Sequence, residues 1–252
     1  MGSFLKKSKR FVEDYLGISI GLAKSRKEII NEAIDLERKI IFIGVTKTGT
    51  SSIRTQLIQE GEPWVKPSHL NIIQIRDLIY PFLLKQNLAK NHTFPNSQRV
   101  SDLEIRKQAD TIFEQCFKFS SVRNPWSRAV SLYFRSEGMQ MKDKMTFEEF
   151  CKQHEYASDT CQNPTLHKNQ ADWHEDENGN NLMDYVFRIE DFTSEVNVIK
   201  EKSNGKVKLQ AFSRNKNPNS LSRQYREIYN LNTKNLIAKR FEKDIDLFKY
   251  TF

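Results

Sequence analysis

The stretch KIIFIGVTKTGTSSI, Lys39 to Ile53, constrains the fold more than any other part of the 252-residue chain. Ile40, Ile41, Phe42 and Ile43 are consecutive large apolar residues without alternation. That pattern marks a strand buried on both faces, and such strands belong to parallel sheets covered by helices. The run enters a loop of Gly, Thr and Ser, after which SSIRTQLIQE places apolar residues at helical spacing until Gly61 and Pro63 stop it. Strand, loop and helix in this order open an α/β fold.

Gly44 and Gly49 are spaced as in the phosphate-binding pattern G-x-x-x-x-G-K-[ST]. A strand-loop-helix turn offers free amides and the positive end of a helix dipole to a phosphate. Here, however, Thr50 stands where that pattern has its lysine and Ser51 where it has the metal-binding hydroxyl. An ordinary ATPase or GTPase is therefore disfavoured. The loop's lysine is Lys47, inside the turn, where a cation can neutralise charge appearing on an oxygen between a bound phosphate and a transferred group.

A second strand-turn-helix follows. CFKFSSV reads as a buried strand, and NPWSRAVSLYFRS begins a helix with Asn124 as N-cap and Pro125 in its first position. Arg123 leaves the strand end, where a guanidinium can fork two hydrogen bonds onto a phosphate, and Ser131 lies about two turns into the helix. LMDYVFRIEDF reads as a third strand, and LNIIQIRDLIYPFLLKQ as a helix interrupted at Pro81. Phe4 to Arg38 reads as one or two charged helices, Thr160 to Asn181 as a polar loop, and Arg226 to Phe252 as a basic amphipathic helix ending in an aromatic tail.

The balance of 40 Lys and Arg against 32 Asp and Glu, a net charge of +8, favours an anionic partner: nucleic acid, acidic glycan, anionic lipid or nucleotide. Cys116, Cys151 and Cys161 are odd in number and irregularly spaced, against a disulfide framework and for reduced thiols in a cytoplasmic setting. Cys151-x2-His154 with Cys161-x5-His167 matches no standard zinc module, so no metal is expected. No apolar run approaches the ~18 residues of a membrane helix. Glu13 and Asp14 interrupt the basic start, so no cleaved signal is expected, and Lys6 breaks a myristoylation motif.

VTKTGTSSI resembles the 5′-phosphosulfate loop of sulfotransferases that use 3′-phosphoadenosine 5′-phosphosulfate (PAPS), in the carbohydrate-type branch typified by P-K-T-G-[ST]-[ST]-[ST]. Val45-Thr46 departs from it where that branch has proline before the lysine. RNPWSRAVSLY matches the family's 3′-phosphate segment R-[DN]-P-x-x-R-x-x-S-x-Y at Arg123, Asn124, Pro125, Arg128, Ser131 and Tyr133. The late strand and the DIDLFKYTF ending are also similar, so the resemblance runs from about Lys39 to Phe252.

The resemblance implies a single α/β domain, residues 39–252, with a mainly parallel β-sheet flanked by helices around a P-loop-like core; residues 1–38, outside the resemblance, read as a helical extension preceding it. It implies PAPS as co-substrate and transfer to a hydroxyl of a carbohydrate or small polar metabolite. Lys47, Thr48, Gly49, Thr50, Ser51 and Ser52 would hold the 5′ end, Arg123 and Ser131 the 3′-phosphate, and Arg214 and Lys216 a late basic loop over the nucleotide. Arg128 is read first as a tie between helix and sheet. His69, between the two motifs, is the candidate base, read against a packing histidine at the helix start, and a carboxylate is the other possibility. His167 and Gln170 are candidate acceptor contacts. Trp64 and Trp126 could stack on adenine or simply pack. The alternatives are a P-loop small-molecule kinase, and a non-catalytic binder of acidic glycans or nucleic acid; nucleic acid is not expected as partner.

Overall fold

The structure, a computed structural model, describes residues 27–57, 59–65, 69–93, 100–134, 144–152, 169–211 and 224–252. Its strands are β1 (Glu28–Ile29), β2 (Ile34–Asp35), β3 (Ile40–Ile43), β4 (Glu62–Pro63), β5 (Phe117–Val122) and β6 (Tyr185–Arg188). Its helices are α1 (Thr50–Leu57), α2 (Ile72–Thr93), α3 (Asp102–Gln115), α4 (Pro125–Tyr133), α5 (Phe147–Lys152), α6 (Phe192–Lys202), α7 (Leu231–Arg240) and α8 (Glu242–Phe248). Four strands form one sheet in the order β2-β3-β5-β6, with β3, β5 and β6 mutually parallel and β2 antiparallel at the edge. This is the expected α/β arrangement with a mainly parallel sheet.

Both faces of β3 are covered, which explains its unbroken apolar run. Ile41 and Ile43 face a cluster that includes Ile75 and Ile79 of α2 and Ile105 and Phe113 of α3. Ile40 and Phe42 face the other side, against Ile53 and Leu57 of α1, Phe119 of β5, and Phe192 and Ile199 of α6. Each such side chain contributes roughly 1.5–3 kcal/mol on burial. A third cluster joins α4, α5 and α7 through Trp126, Val130, Tyr133, Phe150 and Ile237. Tyr250 is buried in it and Phe252 packs on it, so the aromatic tail docks as expected.

Three local readings change. Residues 28–38 form short strands and turns instead of helix, because Asn31 and Asp35 bind the backbone locally and compete with helical bonding. The Ala33 amide donates to Asn31 Oδ1 at 3.0 Å and the Arg38 amide to Asp35 Oδ1 at 2.8 Å. The buried Ile34 then pairs with Ile41 as a sheet edge. Helix α2 runs through Pro81 without a break; Ile75 and Ile79 before it and Phe82 and Leu83 after it sit in one core, which holds the two halves in line. The closing helix is two helices, divided at Phe241, whose ring is buried at φ −111°, ψ 31°. Among the described residues no helix is long and apolar enough to cross a membrane.

Candidate active site

Strands β3, β5 and β6 run the same way, so their C-terminal ends share one edge of the sheet, the edge where open α/β sheets bind ligands. Three segments meet there: the loop Gly44 to Gly49, the turn Arg123-Asn124, and the turn Ile189-Glu190.

The loop is held by its carbonyls. Five in succession accept hydrogen bonds from side chains. The Gly44 carbonyl accepts from His69 Nδ1 at 2.6 Å, and that of Val45 from the hydroxyls of Thr48 and Thr50 at 2.8 and 2.6 Å. The carbonyls of Thr46, Lys47 and Thr48 accept from Arg128 Nε at 3.0 Å, Arg123 Nη1 at 3.2 Å and Ser121 Oγ at 2.8 Å. Lys47 and Gly49 take left-handed φ values of 66° and 82°, and the Gly49 carbonyl starts α1 by accepting from the amides of Ser52 and Ile53. With the acceptors committed inward, the amides of Thr48, Gly49, Thr50 and Ser51 make no hydrogen bond among the described residues. Successive donors of this kind at a helix start form an anion-binding nest.

Gly49 is required twice over. Its left-handed φ favours glycine, and a Cβ there would lie 2.6 Å from Ile189 Cδ1 and 2.9 Å from Ile189 Cγ1. The end of β6 thus presses directly on the loop.

The β5–α4 turn is fixed from several directions. Asn124 caps α4 by accepting from the amides of Trp126 and Ser127, and Pro125 fills the first position, as read from the sequence. The Asn124 amide donates to Glu190 at 2.8 Å, and its side chain donates to the Thr251 carbonyl at 2.8 Å. Arg123 Nε donates to Ser127 Oγ at 3.1 Å, which aims the guanidinium along the helix toward the loop.

The predicted residues fall into distinct places. Lys47 is half-buried on the loop, Ser51 is exposed and Ser52 half-buried on the first turn of α1. The hydroxyls of Thr48 and Thr50 turn inward onto Val45, so these two residues can offer a ligand their amides but not those hydroxyl hydrogens. His69 lies against the loop; because a carbonyl only accepts, Nδ1 carries the hydrogen, and in the neutral form of the ring the lone pair is therefore on Nε2. Ser131 is half-buried on α4, one turn beyond Arg128. Arg128 is 2% exposed and ties α4 to the loop rather than to the sheet.

Gln170, expected to touch an acceptor, is fully buried, and both ends of its amide are spent on the backbone of Arg123. Oε1 accepts from the Arg123 amide at 2.9 Å and Nε2 donates to the Arg123 carbonyl at 2.7 Å. Trp126 is buried with its indole N–H donated to the Lys234 carbonyl, which makes it core rather than an adenine platform. Trp64 packs 6.0 Å from Phe82. His167, Arg214 and Lys216 lie outside the described residues, as do His154 and Cys161. Burial pushes the Cys116 and Cys151 thiols up to about 11 and about 12, so neither is a nucleophile near neutral pH.

Sequence reasoning missed Ser121, Glu190 and Asp244. A signal existed for the first: Ser120 and Ser121 are adjacent hydroxyls in a strand read as buried, and each is fully buried with its hydroxyl donated across to the β3 strand or its loop. Glu190 lies in the stretch read as the late strand and Asp244 opens the DIDLFKYTF ending, both similar to the family, but no role is read for either, because acidic residues at turn and helix starts read as solvated.

Neither the curated proteins nor the solved structures compared with the chain give a match. The family model described as "Sulfotransferase family" matches residues 33–251, a span that contains the nest, both arginines, His69 and the docked tail segment, and the chain belongs to that family of sulfuryl-transferring enzymes.

Proposed function

We infer that the chain transfers the sulfuryl group of PAPS to a hydroxyl of a carbohydrate or small polar metabolite and releases adenosine 3′,5′-bisphosphate. The observation that carries this reading is the run of five tied carbonyls from Gly44 to Thr48, which leaves a row of loop amides for one anionic group, with Lys47 on the same loop. Such a donor set suits the 5′-phosphosulfate end of the nucleotide.

PAPS, when bound, supplies a sulfuryl group on a phosphate leaving group. Lys47 is assigned to the leaving side, where its ammonium offsets charge developing on the phosphate oxygen. Arg123 and Ser131 are assigned to the 3′-phosphate; a guanidinium has five N–H donors, and Arg123 reaches the site edge with Nε on Ser127 and Nη1 on the Lys47 carbonyl. His69 is assigned to the acceptor side. Its Nδ1 hydrogen is fixed by Gly44, which puts the basic lone pair on Nε2, the state needed to take a proton from a hydroxyl. Arg214 and Lys216 are assigned to the nucleotide and His167 to the acceptor on the family resemblance alone.

Calorimetry with adenosine 3′,5′-bisphosphate in the absence of divalent metal tests the donor site, and labelled PAPS with a panel of hydroxylated acceptors tests the reaction. Tight metal-free binding and label transfer are expected. Tighter binding of ATP with magnesium would overturn the reading in favour of a kinase.

A further inference from the structure

Behind the loop lies a buried carboxylate that no role above uses. Asp244, on α8, is fully buried. Its Oδ2 accepts from the Gln170 amide at 2.8 Å and from Gln170 Nε2 at 3.2 Å, and its Oδ1 accepts from the Ala171 amide at 2.9 Å. Gln170 in turn brackets both backbone groups of Arg123. The charge of Arg128, whose Nε holds the Thr46 carbonyl, acts on the same carboxylate. Burial pushes this carboxyl above its ordinary value, while the Gln170 and Ala171 amides and the Arg128 charge pull it back.

We propose that Asp244 is a positioning residue for the donor site, setting the loop from behind through Gln170 to Arg123 and across to Arg128. One hydrogen-bonded path leaves the carboxylate, through Gln170 and Arg123 to the Lys47 carbonyl, and Arg128, whose charge acts on Asp244, holds the neighbouring Thr46 carbonyl. A buried charge that merely stabilised the fold would need no such path. Without the carboxylate, Gln170 loses the acceptor that holds its amide in the one orientation compatible with both Arg123 bonds. Arg128 keeps its charge in a buried site with less to balance it. Displacement of the donors by a fraction of an ångström is then felt at the nucleotide, since a shift of about 1 Å can cost on the order of 10²-fold.

This inference rests on the sulfotransferase reading only for its nucleotide arm. Asp244→Asn can keep an acceptor toward Gln170 or toward Ala171 but not both. The expected result is a rise of about 10- to 100-fold in KM for PAPS and in Kd for adenosine 3′,5′-bisphosphate, with the acceptor KM unchanged. Hydrogen exchange at the Arg123 amide, which needs no ligand, should accelerate together with it. Gln170→Met, which fills the same space without donors or acceptors, should reproduce both effects. The double variant should be no worse than either single one, because they interrupt one path. If Asp244→Asn does not fold, Gln170→Met decides alone. Folded variants with normal Arg123 exchange and normal nucleotide Kd overturn the proposal. Failure of the wild-type chain to bind the bisphosphate overturns the donor reading instead, and the exchange measurement still judges Asp244.

Discussion

Replacing Gly49 by alanine adds one methyl group at the point where β6 meets the loop, and the cost can be worked from two separate sources. A left-handed φ of 82° disfavours any L-residue by about 1–2 kcal/mol. The new Cβ would also sit 2.6 Å from Ile189 Cδ1 and 2.9 Å from Cγ1, so the isoleucine must rotate or the loop must move. Overpacking of this kind costs about 1–3 kcal/mol. The unfolded chain returns about 0.4–1 kcal/mol through lost freedom, which leaves a net destabilisation of roughly 1–5 kcal/mol. Ile189→Val removes Cδ1, the nearer of the two clashing atoms, and should itself cost about 0.5–1.5 kcal/mol. In combination the two changes should be less harmful than their sum, because valine relieves the contact part and leaves the dihedral part. Urea denaturation of the two single variants and the double variant measures the coupling, and calorimetry with the bisphosphate shows whether the nest moved. If Gly49→Ala stayed within about 0.5 kcal/mol of wild type, or showed no coupling to Ile189→Val, the reasoning about this contact would be wrong.

Lys47 and His69 should be separable. Lys47→Ala is expected to lower turnover by about 10²–10³ while the bisphosphate still binds through the loop amides and Arg123; loss of all binding would move Lys47 to the ground state. His69→Ala should lower turnover by about 10²–10⁴ and change nucleotide affinity far less, and near-normal turnover would send the search for a base to His167 or a carboxylate. Asp35 supplies a pH test of the edge strand. Burial raises its carboxyl, but the backbone amide and guanidinium of Arg38 outweigh that and hold it below the ordinary value. Stability from a depressed carboxylate is present above the unfolded value and is lost as pH falls through the folded one. Denaturation midpoints should therefore drop below about pH 4 in the wild type. Asp35→Asn should lose about 1–2 kcal/mol at pH 7 and lack that acid step.

What could be read from residues alone was what rests on short-range rules. The unbroken run Ile40 to Ile43 announced a strand covered on both faces, Asn124-Pro125 announced a helix start, and the glycines around Lys47 announced a tight loop opening onto α1. Arg123 was legible as a side chain at the sheet's C-terminal edge because it leaves a strand end beside a cap. Its other task was not: the bond to the Lys47 carbonyl spans 76 residues of chain and has no local pattern. Gln170 was assigned to the acceptor because it stood in a polar stretch, yet partners 47 and 74 residues away made it an interior residue. Residues 28–38 were misread for the opposite reason, since charges at helical spacing outweighed two turn-forming side chains, Asn31 and Asp35. Phe241 broke the last helix because core volume, which no local pattern records, decided its conformation.

The ties on the loop also bear on when the site comes into being during folding. Only the two threonine hydroxyls on Val45 come from the loop itself and the turn it starts. His69 reaches back over 25 residues, Ser121 over 73, Arg123 over 76 and Arg128 over 82. Closing loops of that length is slow compared with forming a helix, so β3 and α1 can exist well before the nest does. A nascent chain that has made only its first strand and helix carries the sequence of the nest without its shape. Local opening of α4 in the finished protein would release Arg128 from the Thr46 carbonyl and, through Ser127, loosen Arg123 on the Lys47 carbonyl, so the stability of that helix bears directly on how long the site persists.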